Sequence, residues 1–302
     1  MKNIVIFGAS KYGEKVFNYF KDKENIKINY FCDNNKDKQH NQFLGINVIP
    51  PNELVNIDID EIVIASSYES EIKEQLLKLG INQSKISIFS TNIDNIQFKN
   101  NSDLLLISET LMFDISNALI ENNINYHIDH GTLLGLIREN RILPWDIDID
   151  LAIEDTELKK VINLLDNFLV NYNNKYCSVN NWKYFVCYTK KDHKNHTQDI
   201  AYITVVNNFE DENSTIGLDI HVKYTNDDNI VWTLAERKLS ATKSYCFPTI
   251  DFTFKTKTLK IPNDSSSYLT ELYGEWKTPV KEWDYSKYSN IYDVIDYSKG
   301  GN

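Results

Sequence analysis

The sequence predicts two successive α/β layers: a small parallel sheet wound by helices over residues 1–95, then a larger mixed α+β unit over residues 104–302. Three observations predict this. Apolar runs of strand length alternate with segments of helical period from Asn3 to Phe89. Residues 90–103 are polar, rich in Asn, Ser and Asp, and nearly free of periodic apolar positions, which marks a domain boundary. Farther on, Asp146, Asp148 and Asp150 alternate with Ile147, Ile149 and Leu151, the two-residue period of a strand.

The first strand spans residues 3–7 and ends at Gly8, and a helix follows that carries Val16, Phe17 and Phe20 at helical spacing. Further strands are predicted over 28–32, 61–65 and 86–89, with a helix over about 69–79 that Gly80 closes. Strands alternating with helices in this way predict a Rossmann-like half. Its first turn, Gly8-Ala-Ser-Lys-Tyr-Gly13, is a GxGxxG pattern with Ser10 in the central place, and Asp33 stands twenty residues after Gly13. Gly8, Ser10, Gly13 and Asp33 are therefore the candidate nucleotide-binding residues of this half. No Tyr-x-x-x-Lys pair is placed to transfer hydride, so redox chemistry is not expected.

The second half is predicted to open with a helix over 104–122 and a strand over 126–129. The glycine loop Gly131–Gly135, the aspartate strand and a helix over 156–168 come next. Strands follow over 182–189, 200–206 and 216–224, mostly antiparallel. Because side chains on a strand alternate between faces, the three aspartates are expected to project together. Like charges so placed repel, and a hard dication bound by carboxylates and substrate phosphates offsets that repulsion. In Gly131, Thr132 and Gly135, backbone N–H groups can approach a phosphate closely. On the last of these strands Asp219, His221 and Lys223 share a face, with Leu218, Ile220 and Val222 on the other. A second strand with a polar functional face suggests that Asp219 meets the Asp148/Asp150 face across the sheet; the alternative is a solvated sheet face, which needs no ligand. His127 and His130 read as structural histidines, and His193 and His196 as solvent-exposed.

A net charge of −11 over 302 residues argues against a nucleic-acid partner. No apolar run reaches the ~18 residues that span a bilayer. The four cysteines, Cys32, Cys177, Cys187 and Cys246, lack zinc-site spacing and read as reduced thiols.

Gly131-Thr-Leu-Leu-Gly135, Arg138 and Pro144-Trp-Asp-Ile-Asp-Ile-Asp150 resemble the signature of the LicD family, phosphotransferases related to phosphorylcholine transferases and to the fukutin group. The likeness continues in Leu218-Asp-Ile220, Ile261-Pro262, Tyr268-Leu269, Tyr273-Gly-Glu-Trp276 and Pro279, and covers about residues 104–285. Family members typically read Pro-Trp-Asp-Asp-Asp-Ile-Asp, whereas Ile147 stands here in place of the second Asp.

The resemblance implies a nucleotidyltransferase-like fold. It also implies Mg²⁺- or Mn²⁺-dependent transfer of a phospho-alcohol (phosphocholine, phosphoethanolamine or a polyol phosphate) from a CDP-alcohol donor to a sugar hydroxyl. The acceptor would be a surface glycan of capsule or lipopolysaccharide, or a lipid-linked oligosaccharide. By the same implication Asp148 and Asp150 hold the metal, with Asp146 beside them. Asp219 completes the metal shell or takes the acceptor's proton, and Arg138 contacts donor phosphate. Trp145, Trp276 and the Tyr-rich tail are candidates to stack on a nucleobase or to hold a quaternary ammonium by cation–π contact. The expected setting is the cytoplasm, at the inner face of the membrane. The alternatives are transfer of NMP by the same carboxylates, and a catalytically silent nucleotide- or sugar-binding protein.

Overall fold

The computed structural model describes residues 1–66, 68–89, 97–100, 102–175, 182–189, 199–207, 217–235, 237–280, 283 and 285–294. Cys177, His193, His196 and most of the predicted boundary at 90–96 lie outside these residues. The chain divides into two compact units. One comprises Met1–Thr91, Glu282–Lys287 and Ile295–Asn302, and the other Asn92–Lys281 and Tyr288–Val294. Each is described by itself.

In the first unit the strands are β1 (Lys2–Phe7), β2 (Ile26–Cys32), β3 (Gln42–Phe43), β4 (Ile46–Ile49), β5 (Glu61–Ile64) and β6 (Ile86–Ile88). Helices α1 (Lys11–Phe20) and α2 (Glu69–Lys78) join them. The order across the sheet is β3-β4-β2-β1-β5-β6, parallel except for the β3/β4 pair. β1 is apolar from Ile4 to Phe7, where both of its faces are covered. Ile4 and Ile6 pack with Val16 and Phe31, while Val5 and Phe7 pack with Ile72 and Leu76. The short β3 and β4 are not foreseen by periodicity, since two to four residues are too few to show one.

In the second unit, α3 (Ser102–Glu121), β7 (Tyr126–Ile128), α4 (His130–Glu139), β8 (Asp148–Glu154) and α5 (Leu158–Lys175) come first. Then follow β9 (Trp182–Tyr188), β10 (Ile200–Asn207), β11 (Gly217–Asn226), β12 (Asn229–Leu234) and β13 (Arg237–Thr242). The chain continues with α6 (Lys243–Cys246), the hairpin β14 (Ile250–Phe254) and β15 (Lys257–Ile261), α7 (Ser265–Tyr273) and β16 (Ile291–Val294). β11 organises the sheet. Its first part pairs with β8 in parallel and with β10 antiparallel, and its far end pairs with β12. β7 flanks β8, and β9 flanks β10. Ile149, Leu151, Ile203, Val205, Leu218 and Ile220 turn one face of this sheet into the core, against Leu111 and Ile115 of α3 and Val161 and Leu165 of α5.

Two expectations are corrected here. Residues 131–135 form no loop but lie within α4, because Leu133 and Leu136 recur at helical spacing and are buried. Asp146 is not on the strand: its N–H closes a turn onto the Leu143 carbonyl at 3.0 Å, two residues before β8 begins. Of these three aspartates, only Asp148 and Asp150 lie on the strand.

Two glycines fix how tightly these helices seat. A Cβ on Gly13 would fall onto the Gly8 carbonyl oxygen, and one on Gly135 would lie 2.6 Å from the Arg141 carbonyl oxygen. Both obstacles are backbone. Gly13→Ala and Gly135→Ala are each expected to cost about 1–3 kcal/mol, the range for overpacking a filled site. Urea denaturation of the full chain measures this, and a variant as stable as the parent would show that the seat yields.

Candidate active site

β8 and β11 run side by side with Asp148 opposite Gly217, Asp150 opposite Asp219 and Ala152 opposite His221. Beyond β11, Thr204 of β10 lies opposite Asp219 and Tyr202 opposite His221. All of these side chains share the face turned away from the core. Asp146 joins the group from the preceding turn, where its carboxyl is close enough to hydrogen-bond that of Asp148. Gly131 makes room for it, since a Cβ there would lie 2.7 Å from Asp146 Oδ2.

The electrostatics follow from this crowding. Burial, then the charge of Asp150, pushes Asp146 up to about 7. Burial, then Asp150 and Asp146, raises Asp148 well above the carboxylate range. Burial, then Asp219 and Asp129, does the same to Asp150. Asp219 is pushed up to about 6 by burial and by Asp148, against opposing contributions from His221 and a Thr204 hydrogen bond. Four acidic groups thus hold protons more tightly than free carboxyls do, for want of positive charge on their open side.

Among the described residues, no three His, Cys, Asp or Glu side chains already converge as a metal-binding group. The donor chemistry nevertheless suits a hard dication. The groups are all carboxylate oxygens, Asp146 Oδ2 is buried without a hydrogen-bond partner, and the cluster carries uncompensated charge. Asp146, Asp148 and Asp150 are the residues that would hold Mg²⁺, and Asp219 would either complete that shell or stand beside it as a base.

Beneath the cluster lies a polar network hidden from solvent. Lys223 Nζ and Asp129 Oδ2 meet at 2.7 Å with both side chains fully buried. The Lys223 ammonium also sits 3.3 Å over the Trp232 ring. Tyr268 donates its hydroxyl to Asp129 Oδ1 at 2.8 Å. His130 Nε2 stands 3.4 Å from Asp129 Oδ2, and its Nδ1 stands 3.2 Å from the Tyr288 hydroxyl. Burial works to raise Asp129, but His130 and Lys223 outweigh it and hold the carboxyl well below its usual range. The network reaches the cluster through His221 Nε2, 3.1 Å from Asp150 Oδ1. Burial and the Lys223 charge lower His221.

The structure gives several of the sequence candidates internal partners. Thr132 is buried and its Oγ1 accepts the Asp150 N–H at 2.9 Å. Gly135 packs on Arg141 and Leu143. The Arg138 guanidinium donates to Glu139 Oε1 at 2.8 Å and to the Trp276 carbonyl at 3.1 Å, so it joins α4 to the segment after α7. Trp276 is buried and donates Nε1–H to Thr270. Trp145, by contrast, is 44% exposed beside Asp146. Ile147 is half-buried in the turn before β8. In the first unit, Gly8 ends β1 at φ +125°, and Ser10 caps α1 by accepting from Gly13 N–H at 3.5 Å. Asp33 is already engaged: it accepts from Ala9 N–H at 2.9 Å, Asn35 N–H at 2.8 Å and Lys38 Nζ at 2.9 Å. Asp129, His130 and Tyr288 were not candidates, because nothing in their spacing separates a buried polar group from a surface one. Lys223 and His221 were visible as partners of Asp219 on one strand face.

Residues 123–264 match the model of the LicD/FKTN/FKRP nucleotidyltransferase domain. This supports membership of the LicD family for the unit that carries the acidic cluster. Residues 1–87 match the model of a C2185-like N-terminal domain. Two rickettsial proteins of uncharacterised function share local identity. One from Rickettsia prowazekii is 35% identical over 71 residues, 22% of this chain and 27% of its own length. One from Rickettsia typhi is 49% identical over 43 residues, 14% of each chain. The chain thus spans about a quarter of one of these curated relatives and about a seventh of the other. Among solved structures, UDP-D-quinovosamine 4-dehydrogenase from Vibrio fischeri aligns with 32% of this chain and 82% of its own at 21% identity and a TM-score of 0.27. ANT(2")-Ia, solved with adenylyl-2"-tobramycin, aligns with 59% of this chain and 81% of its own at 15% identity and a TM-score of 0.33.

The buried ion pair gives one expectation. Lys223→Met leaves Asp129 charged and unpaired, at a cost of about 3–5 kcal/mol, whereas Lys223→Met with Asp129→Asn recovers most of it. Urea denaturation checks both, and a double variant no better than the single one would refute the pairing.

The crowded carboxyls give another. Asp146 and Asp219 bind protons more tightly folded than unfolded, so their stabilising contribution is complete below about pH 4 and lost as the pH rises through about 6 to 7. In EDTA, Asp146→Asn is therefore expected to melt close to the parent at pH 4 and several degrees above it at pH 7.5. Mg²⁺ should narrow that gap. A gap independent of pH would show that Asp146 is not under strain from its neighbours.

Proposed function

We propose that the chain is a Mg²⁺-dependent phosphotransferase that moves a phospho-alcohol from a CDP-alcohol donor to a sugar hydroxyl of a cell-surface glycan. The observation that carries the reading is the register of Asp148, Asp150 and Asp219 on two adjacent strands, with Asp146 folded in beside them. The match of that segment to the LicD/FKTN/FKRP domain supports a transferase and leaves donor and acceptor to this proposal. The first unit, on this reading, is a Rossmann-like binding domain of nucleotide-sugar type without a redox step. The enzyme works in the cytoplasm at the inner face of the membrane, and no described helix is long and apolar enough to cross it.

In the proposed reaction the acceptor hydroxyl attacks the phosphorus that bears the alcohol, and the bond from that phosphorus to the CMP oxygen breaks. Asp219 takes the hydroxyl proton: it stands at the end of the carboxylate row, next to β10, and its raised proton affinity suits a base near neutrality. Mg²⁺ supplies neutralisation of the charge on the diphosphate. Asp146, Asp148 and Asp150 would hold it, and the start of α4 presents its backbone toward the same corner. Arg138 and Thr132 fix α4 against the tail and against β8.

The test is product analysis. With a CDP-alcohol, Mg²⁺ and a sugar acceptor, the glycan should gain the mass of the phospho-alcohol and CMP should be released. Asp148→Asn and Asp150→Asn should abolish turnover while folding normally, and Asp219→Asn should lose about 10²-fold or more. A glycan carrying CMP would replace this reading with nucleotidyl transfer. Near-parental rates in Asp148→Asn would remove the metal assignment.

A further inference from the structure

The polar face that carries the carboxylates does not stop at Asp219. Opposite Thr204, Phe185 of β9 continues the row Asp150, Asp219, Thr204, and opposite Val206, Lys183 continues the row Asp148, Gly217, Val206. In the core this face would be closed. Here Tyr202, Thr204 and Val206 are half-exposed, Lys183 is exposed and Phe185 is 52% exposed. An exposed phenylalanine on an outer strand is ordinary by itself. One that stands in register with a carboxylate row, about 10 Å from Asp219 by two strand spacings, shares the surface on which a substrate of that row must lie.

The two sides of the cluster differ in kind. On the β7 side, α4 begins beside β8 and packs Gly131 against Asp146. That corner combines a helix N-terminus with the carboxylates that would hold a dication, so it suits the anionic donor. Among the described residues, the β10 side offers no comparable set of backbone donors. It presents two aromatic side chains, a hydroxyl and one lysine, and Asp219 stands between the two sides. We propose that the β10–β9 face, through Phe185, Tyr202, Thr204 and Lys183, is the binding platform for the sugar acceptor. This proposal rests on the transferase reading above.

The chemistry of the face fits a pyranose. A sugar ring has an apolar C–H face and a rim of hydroxyls, and a surface of flat rings edged by polar groups meets both. Tyr202 is packed against its neighbour: its ring lies 5.8 Å from that of His221. A ring seated over Phe185 and Tyr202 brings a hydroxyl toward Asp219, where the proposed proton transfer occurs. A nucleobase would find the same aromatic surface attractive. The donor's phosphates, however, belong at the far side of the carboxylates, and Asp219 would then face the nucleoside rather than an acceptor.

The experiment uses the full chain with Mg²⁺ on a printed array of bacterial surface oligosaccharides, with CDP titrated in parallel by calorimetry. The parent is expected to retain a subset of the oligosaccharides. Phe185→Ala should lose them by about tenfold or more, and Phe185→Trp, which keeps an aromatic face, should retain them. Melting curves exclude a folding defect, and Lys183→Ala serves as a second variant at an exposed position. CDP binding reads the donor site separately: if the parent binds no CDP while Phe185→Ala still loses oligosaccharide, the donor reading fails and the platform stands. The proposal is overturned if no oligosaccharide binds, if Phe185→Ala and Lys183→Ala both bind like the parent, or if Phe185→Ala loses CDP instead.

Discussion

The ion pair between Lys223 and Asp129 is the constraint on which the second unit turns. Both side chains are fully buried, and neither is tolerable there without the other. Lys223 comes from β11 and Asp129 from the junction between β7 and α4, so the pair sets the position of the helix relative to the sheet. Asp129 also donates its backbone N–H to the Asp150 carbonyl at 2.9 Å, and its carbonyl accepts the Leu133 N–H. One residue therefore tethers the carboxylate strand, starts the helix and neutralises the lysine. Tyr268 and Trp232 close the remaining sides, which ties α7 and β12 to the same point.

That arrangement explains how several acids can stand together. Each is raised by its neighbours, and the positive charge nearest them lies behind, in Lys223, rather than in front. A lysine placed in front would compete with a cation and obstruct a phosphate. Placed behind and paired with Asp129, it fixes geometry while the open side of the cluster stays electronegative. His221 is the contact between the two layers, packed at 4.7 Å between ring centroids from His130 and bonded to Asp150. The network thus functions as scaffold for the carboxylates, which is why its members are more deeply buried than Asp148 or Asp219.

The sequence made legible those parts whose burial follows hydrophobicity. β1, β8 and β11 were readable because apolar residues fill one face or both, and α2 and α3 because their apolar spacing is helical. β12, β13 and β16 were not, and β13 shows why. Its buried positions are Arg237, Leu239 and Ala241, a pattern in which a charged residue takes a core place. α4 was misread because its glycines suggest a flexible loop, whereas Gly135 serves close packing and Gly131 makes room for Asp146. Asp33 was legible as an acid at the right distance from a glycine turn. Spacing could not reveal that Ala9, Asn35 and Lys38 already surround it.

The topology accounts for where the carboxylates fall. In sheets of wholly parallel strands, ligands gather at the carboxyl ends, where the loops to helices leave the sheet. β8 and β11 are parallel to each other, yet their acids lie at the beginnings of both strands. The exception follows from β7, which runs antiparallel to β8 and so brings its own carboxyl end beside the start of β8. α4 departs from that end, and its first turn, the favourable side of a helix for anions, comes to stand over Asp146 and Asp150. Gly131 donates its backbone N–H toward Asp150, so the helix start already stabilises one carboxylate while the others remain open. Were β7 parallel to β8, the helix would begin at the opposite end of the strands and the acids would face one another alone. A single reversal of strand direction thus joins a helix terminus, a turn and two strand starts into one electronegative corner.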